Sequence, residues 1–157
     1  MAETSATKRI FYNSVYTHGV DEKRRVQIPA KWRPAEPDAE LMLILWQSAG
    51  QTDACLLVLP PAISQVLVDK MTSMPFNDVK AEALRRLLGE RSDTVPVDKG
   101  GRICLPEKMA TAAGIGKEVK EVVLNGMFDR FQIWNPERFE ASRAAIAALA
   151  PDAYQLI

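Results

Sequence analysis

The sequence predicts an α+β fold, mainly β, in which two tandem repeats intertwine as one pseudo-twofold β-barrel-like body with peripheral helices. Three observations carry that prediction. A decapeptide occurs twice: "VDEKRRVQIP" at residues 20–29 returns 77 positions later as "VDKGGRICLP" at 97–106. β-Branched residues precede the Asp of each copy, and the positions after its Arg alternate apolar and polar, the period of a half-buried strand. Each copy then runs through a proline into a helix, a pair of strands, and a second proline that opens another helix. A unit of roughly 75 residues is therefore duplicated. A lone hairpin is marginal in water, so two such units are expected to bury their apolar faces by interleaving.

The elements follow in order. "VYTHGV" before Asp21 and "DTVPV" before Asp98 read as strands, and Val26-Gln27-Ile28 and Ile103-Cys104-Leu105 as their partners. Between them, "EKR" and "KGG" have turn chemistry, so each decapeptide is a hairpin tip. The helix opened by Pro29 is cut short by Pro34, and "LMLILW" and "CLLVL" make a strand pair. In "PPAISQVLVDKM" the apolar Ile63, Val66, Leu67 and Met71 recur at helical spacing. "DVKAEALRRLLG" links the halves, closes on Gly89, and turns Leu84, Leu87 and Leu88 away from Arg85 and Arg86. The second half repeats the plan: "EKMATAA" stops at Gly114, a suitable C′ residue, then "EVVLNG" and "FQIW" pair. A last helix has Asn135 as N-cap and Pro136 at N1, with Pro151 at its end.

Bulk properties narrow the function. Lys+Arg and Asp+Glu both total 20, a formal net charge of zero, which argues against a polybasic tail but not against a local basic patch. Cys55 and Cys104 are far apart, outside any Cys-x-x-Cys spacing, and are expected to be reduced. With one histidine, His18, and two separated cysteines, no zinc set or Ser/His/Asp arrangement can be assembled, so neither catalysis nor a cofactor is expected. "GIGKEV" fails the phosphate-loop pattern and reads as a helix stop. Trp32, Trp46 and Trp134 read as core or subunit-interface anchors. "MAETSATKRIFYNS" lacks a signal-peptide core, and "LMLILW" is far short of a membrane span, so a cytoplasmic location is expected.

The two Asp-x-x-x-Arg hairpins, each followed by [VI]-x-[IL]-Pro, resemble the bacterial MraZ proteins, as do "GKEVKEVVLNG" and "FQIWNPERF". These are double-repeat members of the AbrB/SpoVT swapped-hairpin class. The resemblance covers roughly residues 12 to 140. It implies a flexible N-terminal tail over 1–11, a first SpoVT-AbrB-like repeat over 12–63 and linking helices over 64–91. A second repeat over 92–138 and a C-terminal helix and tail over 139–157 complete the division. It further implies a nucleoid-associated transcriptional regulator of the division and cell-wall gene cluster. Such a protein assembles as a ring-shaped homo-oligomer and binds short direct repeats upstream of its own operon. One position departs from the pattern: Arg24 stands where the family places a glycine, as Gly101 does in the second hairpin.

The hairpin chemistry fits DNA. Residues 21–33 hold Lys23, Arg24, Arg25, Lys31 and Arg33 against two acids, a local balance of +3, and residues 98–110 balance at +1. A narrow ribbon with arginines at its tip suits the major groove, where a guanidinium binds guanine in bidentate fashion. Lysines beside it contact phosphate. Arg25 with Lys23 and Arg24 is the leading set, Arg102 with Lys99 its supplement, and Lys31 and Arg33 flank them. The same residues admit a structural reading, in which Asp21–Arg25 and Asp98–Arg102 are ion pairs across a turn and Lys31 and Arg33 are a solvated face. A protein-interaction module, antitoxin-like or adaptor-like, is the rival function.

Overall fold

The computed structural model describes residues 9–47 and 54–157. The expected N-terminal tail lies outside the described residues as far as residue 8. Repeat one supplies strands β1 (Val15–Gly19), β2 (Arg25–Gln27), β3 (Glu40–Trp46) and β4 (Cys55–Leu59). Repeat two supplies β5 (Ser92–Pro96), β6 (Arg102–Cys104), β7 (Glu121–Gly126) and β8 (Phe131–Trp134). The helices are α1 (Pro61–Thr72), α2 (Val79–Glu90), α3 (Glu107–Ala112) and α4 (Pro136–Tyr154), with a 3-10 turn at Ala30–Trp32. The mixed, mainly β class expected from the sequence is present.

Pairing crosses between the halves. The six-stranded sheet runs β1-β7-β8-β4-β3-β5, all antiparallel, while β2 and β6 form a separate two-stranded ribbon. Exchanging the halves maps the six-strand order onto its own reverse, so each half lends an edge strand to the other. In place of a closed barrel, the described pairing is an open sheet with β1 and β5 at its edges. Strands β2 and β6 have three residues each and pair with one another, which leaves those edges unjoined.

Burial explains the layers. Val26, Ile28, Ile103 and Leu105 of the ribbon region point inward and join Leu41, Leu43, Leu56, Val58, Leu124 and Ile133 of the sheet in one cluster. Each fully buried Leu or Ile of this kind contributes about 1.5–3 kcal/mol. All five residues of β4 are buried because both its faces are covered. On the outer face, Leu57 and Leu59 meet Ile63 and Leu67 of α1 and Leu88 of α2, and Cys55 lies in a cluster with Val123, Trp134 and Phe139.

Two helix ends differ from expectation. Gly89 lies within α2, which ends at Glu90 with Arg91 as C-cap, because the chain passes directly into β5 and Leu45 N–H already binds the Arg91 carbonyl. Pro151 lies inside α4, in its last turn, where few hydrogen bonds remain to be lost. The stop at Gly114 is as expected. Its φ is +77°, Ile115 N–H bonds the Ala110 carbonyl and Gly114 N–H that of Thr111, a Schellman closure. A Cβ at Gly114 would also lie 2.8 Å from the Arg138 guanidinium carbon. Asn135 caps α4 through Arg138 N–H and donates its amide to the Gly114 carbonyl, so the Trp-Asn-Pro segment locks α4 to α3. Both cysteines are free, Cys55 buried and Cys104 exposed. Among the described residues no helix is long and apolar enough to cross a membrane.

Candidate functional site

The Asp-x-x-x-Arg spacing is the geometry of one turn, built twice. Asp21 Oδ1 accepts the backbone N–H groups of Lys23 and Arg25, both at 2.9 Å, and Oδ2 accepts Arg25 Nε at 2.7 Å. Asp98 does the same for Gly100 N–H, Arg102 N–H and Arg102 Nε, the last at 3.2 Å. Each turn then needs a left-handed residue just before the arginine. Gly101 supplies it at φ +79° and Arg24 at φ +64°, the latter at a cost of about 1–2 kcal/mol.

The Arg25 backbone N–H, more than any other group, holds the Asp21 carboxyl below the usual aspartate range, and the Arg102 backbone N–H does so for Asp98. A carboxyl whose folded value is depressed adds stability above its unfolded value, and that stability disappears as pH falls through the folded value. Urea titrations are therefore expected to show a midpoint that drops below about pH 4. The double variant Asp21→Asn with Asp98→Asn is expected to lose that component of the drop.

The ion pairs place the arginines. Each guanidinium is held by Nε alone, and its side chain keeps 35 % exposure at Arg25 and 37 % at Arg102. The terminal Nη groups make no protein hydrogen bond among the described residues, so the end that can grip two acceptors stays open. The structural reading and the binding reading are thus compatible, because the carboxylate orients the fork.

Pairing of β2 with β6 brings the two turns together. In the register Arg25↔Cys104, Val26↔Ile103, Gln27↔Arg102, the middle pair points into the core. Arg25, Cys104, Gln27 and Arg102 therefore share the outer face, with the arginines as diagonal neighbours, about 7–8 Å apart at the backbone. Gln27 and Cys104 were not singled out in the sequence, although the alternation Arg25-x-Gln27 and Arg102-x-Cys104 carries the signal. Gln27 Nε2 donates to the Gly100 carbonyl and Cys104 Sγ to that of Lys23, each side chain tying one repeat to the turn of the other. His18 donates Nδ1–H to the Gln27 carbonyl at 2.6 Å, a structural role.

The remaining candidates divide. Lys23 and Lys99 are exposed at the turn tips, and Lys31 is exposed on the 3-10 turn beyond the ribbon. Arg33 donates Nε to the Ile28 carbonyl at 2.9 Å and lies against Gly101. Arg24 is buried, with 8 % of its surface exposed. A Cβ at Gly101 would overlap Arg33 Nε and take an unfavourable φ. Gly101→Ala is expected to cost about 1–2 kcal/mol in urea unfolding. Among the described residues no group of three or more His, Cys, Asp or Glu side chains could hold a metal ion.

Comparison with known proteins agrees with this geometry. Residues 90–153 match the family model described as "MraZ protein, putative antitoxin-like". The chain is 31 % identical to the transcriptional regulator MraZ of Thermomicrobium roseum, over 89 % of this chain and 92 % of that one. It is 32 % identical to that of Herpetosiphon aurantiacus, over 87 % and 89 %, and 32 % identical to that of Legionella pneumophila, over 79 % of each. Identity at this level across both repeats, joined to two Asp-x-x-x-Arg turns on one ribbon, leads to one conclusion: the chain belongs to the MraZ family.

Proposed function

We propose that the chain is a sequence-specific DNA-binding transcriptional regulator whose β2–β6 ribbon enters the major groove. One observation carries the reading: two Nε-anchored arginines with open Nη groups share the outward face of a two-stranded ribbon. Such a ribbon fits the groove, and each fork can bind the O6 and N7 of a guanine. Lys23 and Lys99 at the tips contact phosphate, and Lys31 does so from the flank. Arg33 supports the second turn. The target is the promoter of the protein's own operon, a division and cell-wall cluster, read as short direct repeats by a cytoplasmic, nucleoid-associated protein. The interleaved halves correspond to a swapped-hairpin body with repeats over 12–63 and 92–138.

Apolar surface supports a ring of several copies. Phe76 is 92 % exposed and Val79 83 %, and Leu84 and Leu87 of α2 lie open beside them. Light scattering that returns a monomer at micromolar concentration would end the ring. Once one ribbon of a ring is bound, the next binds at high effective concentration, so a chain of zero net charge can hold DNA through one cationic face. The protein-interaction reading draws on that same apolar surface, and it prevails if no DNA is bound.

The test is a fluorescence-anisotropy titration on the fragment upstream of the gene. Affinity is expected to fall linearly in log–log form with salt, with a slope of about −0.9 per phosphate contacted. Equal affinity for that fragment and for a scrambled one would remove the sequence-specific reading.

A further inference from the structure

The two turns differ at one corner, and the difference is chemical. In repeat two, the space beside the left-handed Gly101 is filled by Arg33, which is tied to the Ile28 carbonyl. In repeat one, the left-handed residue is Arg24, and the counterpart of Arg33, 77 positions on, is the small Ala110. The backbone bonds correspond: Ile28 N–H to the Gly101 carbonyl matches Leu105 N–H to that of Arg24. Val97 N–H to the Ala39 carbonyl likewise matches Val20 N–H to that of Lys120. Lys120 therefore stands where the other corner has Ala39, and Lys117 where it has Glu36. One corner is closed and carries an acid; the other is open and carries three cations.

That open corner is a cleft of about 340 Å³ lined by Arg24, Lys117 and Lys120 and also by Asp21 and Glu22. Asp21 makes no hydrogen bond or ion pair with Arg24; its carboxylate serves two backbone N–H groups and Arg25. Glu22 is exposed and forms no ion pair with Arg24 among the described residues. Arg24 is more than nine-tenths buried, and its guanidinium makes no hydrogen bond or ion pair among the described residues. None of the Arg24 guanidinium nitrogens is a fully buried atom, so the group keeps a solvent-facing end while its backbone holds a positive φ. An anion in the cleft would satisfy the guanidinium and both lysines together.

We propose that Arg24, Lys117 and Lys120 form a phosphate-binding site, separate from the groove-reading face of the ribbon. The chemistry is that of a phosphate oxyanion held by one fork and two ammonium groups. Its source is either the DNA backbone or a free phosphate. The site is tested without DNA, so its failure is distinct from failure of the ribbon reading.

Isothermal titration of the intact protein with inorganic phosphate, at an ionic strength held constant with chloride, is the experiment. Saturable binding is expected. Arg24→Gly, which restores the residue of the other turn, and the pair Lys117→Ala with Lys120→Ala are each expected to weaken it by at least roughly tenfold. Unchanged circular dichroism would show that these variants fold. Equal binding by Arg24→Gly, or no heat beyond the chloride control, overturns the site. So does a changed assembly size in Arg24→Gly without a phosphate response, because Arg24 would then be paired by a carboxylate of a second copy. If DNA displaces the bound phosphate, and methylphosphonate substitution in the DNA lowers affinity only when Arg24 is present, the source is the backbone. If phosphate and DNA bind together, the source is free phosphate; either result retains the site.

Discussion

Arg25→Ala is expected to abolish the gel shift on the upstream fragment while leaving circular dichroism and assembly size unchanged. A bidentate guanine contact discriminates by about 1–3 kcal/mol. The loss recurs in every ribbon that a ring presents, so small increments multiply into a lost complex. The fold is expected to tolerate the change. The Arg25–Asp21 pair is partly exposed, such pairs contribute little, and Asp21 keeps its two backbone partners. Arg25→Lys separates charge from shape. It keeps the cation but loses the planar fork, so weak, salt-sensitive binding should persist without sequence preference. Arg102→Ala is expected to act in the same direction with a smaller effect, because its turn carries fewer neighbouring cations. An unaltered shift with Arg25→Ala would remove this residue from the interface.

Trp32→Ala is expected to destabilise the protein by about 3–5 kcal/mol in urea unfolding, a large share of a typical 5–15 kcal/mol. Trp32 is 1 % exposed and packs between Tyr12, Tyr16 and Phe131, at ring-centre distances of 5.7, 5.2 and 4.9 Å. Truncation leaves a cavity that three aromatic rings cannot close by sliding. The residue also ends the 3-10 turn that follows the ribbon, so the loss reaches the base of the β2 strand. Its indole N–H has no partner among the described residues. Trp32→Phe removes that orphan donor while keeping most of the ring, and is expected to cost clearly less. Equal losses for the two variants would mean that ring packing is not what Trp32 supplies.

Local structure was legible in the sequence because it obeys local rules. The period-two runs and the Asn135-Pro136 start mark elements that the structure contains, and each decapeptide is a tight turn. Its two arms, expected to pair with each other, instead pair across the halves, β1 with β7 and β2 with β6. Partner choice was not legible in detail. Nothing in "VYTHG" says that it lies beside "EVVLNG", since both strands carry the same alternation and pairing is decided by the whole buried surface. The outward Gln27 and Cys104 could have been found by carrying the alternation of Val26 and Ile103 one position further. Arg24 shows where reading by residue type stops. Its departure from glycine was visible and its φ is indeed positive, but a cationic residue flanked by Lys23 and Arg25 reads as exposed, whereas the turn directs it inward. Leu84 and Leu87 have the opposite character: their helical stripe is real, yet within one chain only Leu88 of that stripe joins a core cluster.

The crossing of strands between halves also bears on synthesis. β1 leaves the ribosome well before its hydrogen-bonding neighbour β7, which follows more than a hundred residues later. β2 likewise waits for β6. The amino-terminal half therefore cannot settle into its final form while it is alone, unlike a bead that closes as soon as it emerges. Non-local pairing of this kind slows folding and leaves edges and apolar stretches uncovered in the meantime. Premature termination within the second half should accordingly yield a sticky, protease-sensitive fragment and not a working half-molecule.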